Sequence, residues 1–231
     1  MMKTIGLIGG MSWESTVTYY QIINETIKAE LGGLHSAKLL LYSVDFAEIE
    51  ACQANGEWDK SADILSAAAQ SLEKAGADFI LICTNTMHKV APIIQKRISI
   101  PIIHIADATA VELKKDNVRK VALLGTKYTM TEDFYKDRIR QNGIDIIVPA
   151  AEDIEIVNSV IYDELCLGII NDASRKEFVR IIESLKSVGA EAVILGCTEI
   201  GLLIKQEDSL LPVYDTTQIH AQVASLTAIQ S

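Results

Sequence analysis

The sharpest chemical group in the chain is Cys197. It follows the apolar run Ala192–Leu195 and sits in the cluster Gly196-Cys197-Thr198-Glu199. A thiol that ends a buried strand and opens a helix has its pKa, ordinarily about 8.5, lowered toward neutrality. It can then carry a proton or act as a nucleophile. A cluster of the same build, Cys83-Thr84-Asn85-Thr86, follows the run Phe79–Ile82. Two further loops, Gly9-Gly10-Met11-Ser12 and Gly125-Thr126-Lys127-Tyr128, also end apolar runs. All four place small residues, hydroxyls or amides just before an expected helix, which suits the reception of an anion. Ordinary capping needs one such residue per helix, and these clusters exceed that need. The competing reading of any lone cysteine is plain burial.

Other chemistries fail on spacing. The first turn reads Gly6-x-x-Gly9-Gly10, so the dinucleotide fingerprint is missing, as are a Walker A loop and a GxSxG elbow. The four histidines, His35, His88, His104 and His220, show no metal-ligand spacing. Cys52, Cys83, Cys166 and Cys197 lie far apart, which fits neither a disulfide framework nor a zinc site. With 21 Lys and Arg against 31 Asp and Glu, the net charge of -10 argues against binding phosphate backbones. No run of about 18 apolar residues occurs, and the N-terminal apolar run is too short for a signal peptide. We therefore expect a cytoplasmic protein with no membrane or nucleic-acid partner.

The elements that must hold these loops alternate. Strands are expected at Ile5–Ile8, Ala37–Ser43, Phe79–Ile82, Ile102–Ile105, Val121–Leu124, Asp145–Val148, Ala192–Leu195 and Val213–Tyr214. Helices are expected at Ser15–Leu31, Lys60–Ala75, His88–Arg97, Glu132–Asn142, Ile154–Leu167, Ser174–Val188 and Thr216–Ile229. Unbroken Val/Ile/Leu runs mark strands covered on both faces, and the alternation implies parallel α/β sheets. The chain also repeats itself. Leu72–Thr86 aligns without a gap on Leu185–Glu199 at an offset of 113 residues. Ile5–Gly10 echoes Val121–Thr126, and Pro101-Ile102-Ile103 echoes Pro212-Val213-Tyr214. Two similar α/β lobes follow, residues 1–102 with 215–231 and residues 103–214, with ligands expected at strand C-termini.

Three segments, Gly9-Gly10-Met11-Ser12-Trp13-Glu14-Ser15, Cys83-Thr84-Asn85-Thr86-Met87-His88 and Gly196-Cys197-Thr198-Glu199-Ile200, resemble those of the aspartate/glutamate racemase family. The resemblance spans essentially the whole chain. It implies two pseudo-symmetric Rossmann-like lobes with parallel sheets, a substrate in the cleft between them, no cofactor, and a homodimer. It also implies a mechanism in which proton carriers flank the substrate's α-carbon and act on opposite faces. One departure matters. The family motif has cysteine directly before Asn-Thr, whereas here Thr84 holds that place and Cys83 lies one residue earlier. The internal repeat agrees, since Thr84 aligns with Cys197 and Cys83 with Gly196. Strand alternation then puts Thr84 and Cys83 on opposite faces. Thr84 and Cys197 are the expected facing pair, with Cys83 and Cys197 the alternative.

Met11, Gln53, Asn85, Thr86, Thr126 and Thr198 are the expected substrate contacts, while Glu199 and His88 could hold the proton carriers. Trp13 and Trp58 would pack or cover the cleft. Aspartate and glutamate are the family substrates, and a side-chain carboxylate wants a cation. The segment after the second strand, Val44–Gln53, read as a loop, holds none, which leaves Gln53 or Lys127. A racemase of neutral polar amino acids is therefore an alternative. Others are a hydantoin racemase, maleate isomerase or arylmalonate decarboxylase, or a binding protein without chemistry.

Overall fold

The computed structural model describes residues 1–230. The chain divides into two compact units. One runs from Met1 to Ile105 and resumes at His220, and the other is Ala106–Ile219.

In the first unit, β1 (Ile5–Gly9) leads to α1 (Trp13–Leu31), β2 (Leu39–Ser43), α2 (Phe46–Ala54), α3 (Trp58–Lys74) and β3 (Phe79–Ile82). A 3-10 turn at Thr86–Val90 and α4 (Ala91–Gln95) follow. The sheet is parallel in the order β2-β1-β3, with Ile5 opposite both Leu39 and Phe79. Alternation sorts its two faces. Ile8, Ile80 and Ile82 pack with Leu65, Leu72, Met87 and Ile94. Ile5, Leu7, Phe79, Leu81 and Cys83 pack with Tyr19, Ile23, Ala221 and Ala224.

The second unit opens on α5 (Ile105–Lys115), then β4 (Lys120–Gly125), α6 (Lys127–Thr131), α7 (Asp133–Arg140) and β5 (Asp145–Ile147). Next come α8 (Ala151–Asp163), α9 (Asp172–Ser187), β6 (Ala192–Gly196), α10 (Ile200–Leu203) and β7 (Val213–Asp215). The last helix, α11 (Thr216–Ile229), returns the chain to the first unit. The second sheet is parallel in the order β5-β4-β6-β7. Its core joins Ala122, Leu124, Val193 and Leu195 to Val157, Phe178, Ile181 and Leu203.

The repeat is physical down to single bonds. Gly76 and Gly189 both take φ of +98°, which only glycine adopts without strain. Each follows a helix end whose carbonyl is bonded in the same way, Ala77 N–H to Leu72 at 3.0 Å and Ala190 N–H to Leu185 at 3.1 Å. Asp78 and Glu191 then each receive main-chain N–H groups at the start of the central strand, from Thr4 and from Arg119. At the far end of the second sheet Gly125 lies opposite Gly196. A Cβ on Gly125 would stand 2.7 Å from the Gly196 carbonyl oxygen, so the strand ends approach closely only because both are glycine.

The structure corrects several sequence expectations. The strand expected at Ile102–Ile105 shrinks to a single bridge, Ile80 to Ile102. Pro101 offers no N–H to a ladder, and the chain enters α5 at Ile105. The supposed loop Val44–Gln53 is mostly α2, capped by Asp45, whose carboxylate accepts the Ala47 N–H at 3.1 Å. The helix expected at His88–Arg97 is a 3-10 turn followed by α4, with Pro92 in its first turn. The helix expected at Ile154–Leu167 ends at Asp163, and α5 was not foreseen. No described helix is long and apolar enough to cross a membrane.

Candidate active site

Cys197 stands one residue beyond β6, on the odd-numbered side that carries Val193 and Leu195 into the core. It is 7% exposed. Its Sγ–H donates to Glu199 Oε2 at 2.9 Å, and the same oxygen accepts from Thr198 Oγ at 2.9 Å. Glu199 is itself buried. Burial, the Glu199 charge and nearby Cys166 push the thiol well above its ordinary pKa. This reverses the expected lowering. Helix α10 begins only at Ile200 and is four residues long, so its terminus gives little help against a carboxylate in direct contact. At neutral pH the group is a thiol, hydrogen-bonded to a buried carboxyl group.

Thr84 occupies the equivalent position in the first unit, beyond β3, and is 9% exposed. Its N–H donates to the Ile82 carbonyl at 2.9 Å. His88 reaches back from the 3-10 turn, and its Nδ1 lies 2.7 Å from the Thr84 carbonyl oxygen. Cys83 is fully buried in the apolar cluster on the opposite face of the sheet, beside Leu81 and Tyr19. Burial alone drives its thiol far up, so it carries no available charge. Asn85 and Thr86 are buried where the 3-10 turn starts.

The remaining expected contacts fall into two groups. Met11 is buried in the first unit's core beside Ile8. Gln53 is buried on α2, and its amide donates to Met87 Sδ at 3.0 Å. Thr126 caps α6, where its hydroxyl accepts the Thr129 N–H at 3.3 Å. Thr198 is tied to Glu199. Lys127 is paired with Glu155 on the surface, so its charge is already engaged. Trp58 lies under the Lys89 ammonium at 3.6 Å, whereas Trp13 is exposed and lines an outward apolar pocket with Val17, Tyr20 and Leu41. Among the described residues no three His, Cys, Asp or Glu side chains are placed to hold a metal ion.

Sequence reasoning missed a buried polar cluster in the first unit. The Tyr19 hydroxyl lies 2.8 Å from His220 Nδ1, and His220 Nε2 lies 2.8 Å from the Ile103 carbonyl oxygen. The His88 ring centroid is 4.4 Å from that of His104 and 5.8 Å from that of His220. Partners separated by 201 residues leave no local signal.

Two parallel α/β units, each with a buried thiol or hydroxyl just beyond the end of a strand, define a class of arrangement suited to proton transfer on a small molecule. Comparison with known proteins gives the same class. The family model described as Asp/Glu/hydantoin racemase matches residues 8–224, and the chain belongs to that family. It is an isomerase, an amino-acid racemase. A candidate Asp/Glu racemase from Yersinia pestis is 54% identical, with a TM-score of 0.92 over 99% of this chain and 100% of that one. An aspartate racemase homologue from Pyrococcus horikoshii OT3 is 39% identical, with a TM-score of 0.84 over 99% and 100%. The broad specificity amino-acid racemase RacX of Bacillus subtilis is 27% identical over 170 residues, 71% of each chain.

Proposed function

We propose that the protein racemises aspartate and glutamate without a cofactor, with Cys197 and Thr84 acting on opposite faces of the α-carbon. The Cys197–Glu199 contact carries this reading. Glu199 accepts the thiol proton, and the resulting thiolate removes the α-hydrogen of one enantiomer as a proton. The electron pair left on the α-carbon delocalises into the carboxylate. Thr84, relayed through water, then returns a proton from the other face. For the other enantiomer the same steps run in reverse, and the protonated Cys197 is the donor. A threonine hydroxyl is a much weaker acid than a thiol, so the half-reactions are chemically unequal. The equilibrium constant of a racemisation is unity. The inequality must therefore show in isotope exchange and in kcat and KM separately, not in kcat/KM.

A second reading has its own observation. Val44–Gln53 holds no Lys or Arg, Gln53 is turned onto Met87, and Lys127 is paired with Glu155. Among the described residues, the two places expected to offer a cation leave none unpaired, which suits neutral polar amino acids, and the Bacillus relative is named for broad specificity. We further propose a cytoplasmic homodimer that meets through the outward face of α1 and β2.

The test is α-proton exchange in D2O, followed by NMR and chiral analysis, on L- and D-aspartate, glutamate, serine and glutamine. Exchange with inversion is expected, lost in Cys197→Ser and confined to one enantiomer in Thr84→Ala. Exchange of neutral amino acids alone would select the second reading. No exchange of any of them would overturn both.

A further inference from the structure

We propose that His88 is a positioning residue for Thr84, tying the main chain of the strand end to the segment where the chain leaves the first unit. This deepens the racemase reading and rests on it for its catalytic half.

The tautomers follow from the partners. The Ile105 N–H can only donate, and it points at His88 Nε2 at 3.2 Å, so that nitrogen carries a lone pair. The Thr84 carbonyl can only accept, so Nδ1 carries the hydrogen. His88 is thus a neutral ring with its two nitrogens in opposite roles, buried to 1% exposure. His220 has the other tautomer. The Ile103 carbonyl requires Nε2–H, which leaves Nδ1 to accept the Tyr19 hydroxyl proton. Ile103 and Ile105 flank His104, whose ring packs on His88. The three residues before the crossing at Ala106 are therefore gripped from two sides, by His88 and by His220, the residue at which the chain returns.

The consequence falls on Thr84. The β1–β3 register ends at Ile8–Ile82, and the Cys83 N–H makes the last bond to β1. Beyond that point the Thr84 main chain is held by Ile82 through its N–H and by His88 through its carbonyl. A group that must meet one face of one carbon loses about 100-fold in rate for a displacement of roughly 1 Å. His88 touches no reacting atom in this scheme. It fixes where the Thr84 side chain starts.

The test uses His88→Phe, which fills the space without hydrogen bonds, and His88→Gln, whose amide offers a donor and an acceptor about as far apart as the ring nitrogens. His88→Phe should expose the Ile105 amide to hydrogen exchange. It should lower α-proton exchange roughly 100-fold for the enantiomer that Thr84→Ala silences, and leave the other within about threefold. His88→Gln should restore both. Equal loss for both enantiomers, an Ile105 amide that stays protected in His88→Phe, or a folded His88→Gln as poor as His88→Phe would overturn the inference. Should His88→Phe not fold, the ring nitrogens of the unaltered protein decide by 15N NMR, and a His88 protonated at Nε2 overturns it. Failure of every amino acid to exchange would overturn the racemase reading and the catalytic half here. The Ile105 amide would then still report on the tie itself.

Discussion

At the residue scale the chemistry depends on which groups hold protons before substrate arrives. Cys197 keeps its proton because it is buried against a carboxylate, and in the proposed mechanism that carboxylate is also its route of proton loss. Replacing Glu199 with Gln therefore has two effects of opposite sign. Removing the charge lowers the thiol pKa, so alkylation of Cys197 by iodoacetamide, followed peptide by peptide in a mass spectrometer, should reach half-rate at lower pH. Removing the acceptor disables proton transfer, so racemisation should fall by about 10²- to 10⁴-fold. A residue that only shapes the loop would not raise one rate and lower the other; faster alkylation with unchanged racemisation would remove Glu199 from the mechanism. The strand-end residues were legible in the sequence because the repeat aligned Thr84 with Cys197, and Cys83 does lie in the apolar cluster on the opposite face. The direction of the thiol's pKa was not legible. It depends on where the Glu199 side chain turns, and residue order does not specify that.

At the element scale, long apolar runs and Gly-Ala turns declared themselves, whereas short elements did not. Helix α2 buries only Ile49, Cys52 and Gln53, too few positions to show a period, and α5 is rich in alanine. The two sheets do share one order, β2-β1-β3 matching β5-β4-β6, as two similar lobes require, but that order was not read from the sequence, and the contacts that pin the crossing segment were invisible because their partners are distant in sequence. One of them has a measurable price in acid. Burial depresses His220 from 6.5 to about 4, outweighing the bond to the Ile103 carbonyl. The unfolded chain takes up this proton below pH 6.5, while the folded one does so only near 4. The stabilisation is therefore complete above pH 6.5 and is lost as pH falls toward 4, on the order of 3 kcal/mol. His220→Gln keeps hydrogen-bonding capacity without titrating. Its melting temperature should start lower at pH 7 yet fall less between pH 6.5 and 4 than that of the unaltered protein. Parallel curves for the two proteins would show that His220 does not set the acid limit.

At the scale of the whole molecule, charge and apolar surface act against each other. A net charge of -10 makes most approaches of two copies repulsive. Trp13, Val17 and Tyr20 recur at helical spacing on α1 and are 64%, 55% and 54% exposed. With Thr16, and with Leu41 and Ser43 on the edge strand β2, they line a pocket that contains no acid or base charged at neutral pH. In the proposed homodimer that patch would let two like-charged chains meet without facing charge to charge, and a two-fold axis would set it against itself. The proposed homodimer should thus tighten with salt, which screens the repulsion and leaves the apolar contact intact. Light scattering behind size exclusion should give twice the 25.3 kDa chain mass, and more completely at 0.5 M than at 0.02 M NaCl, about 4 Å against 20 Å of screening. Val17→Glu sets two carboxylates across the axis and should yield a monomer with unchanged circular dichroism. A dimer that survives Val17→Glu would mean that another surface joins the copies, and one that dissociates as salt is added would mean that opposite charges hold it.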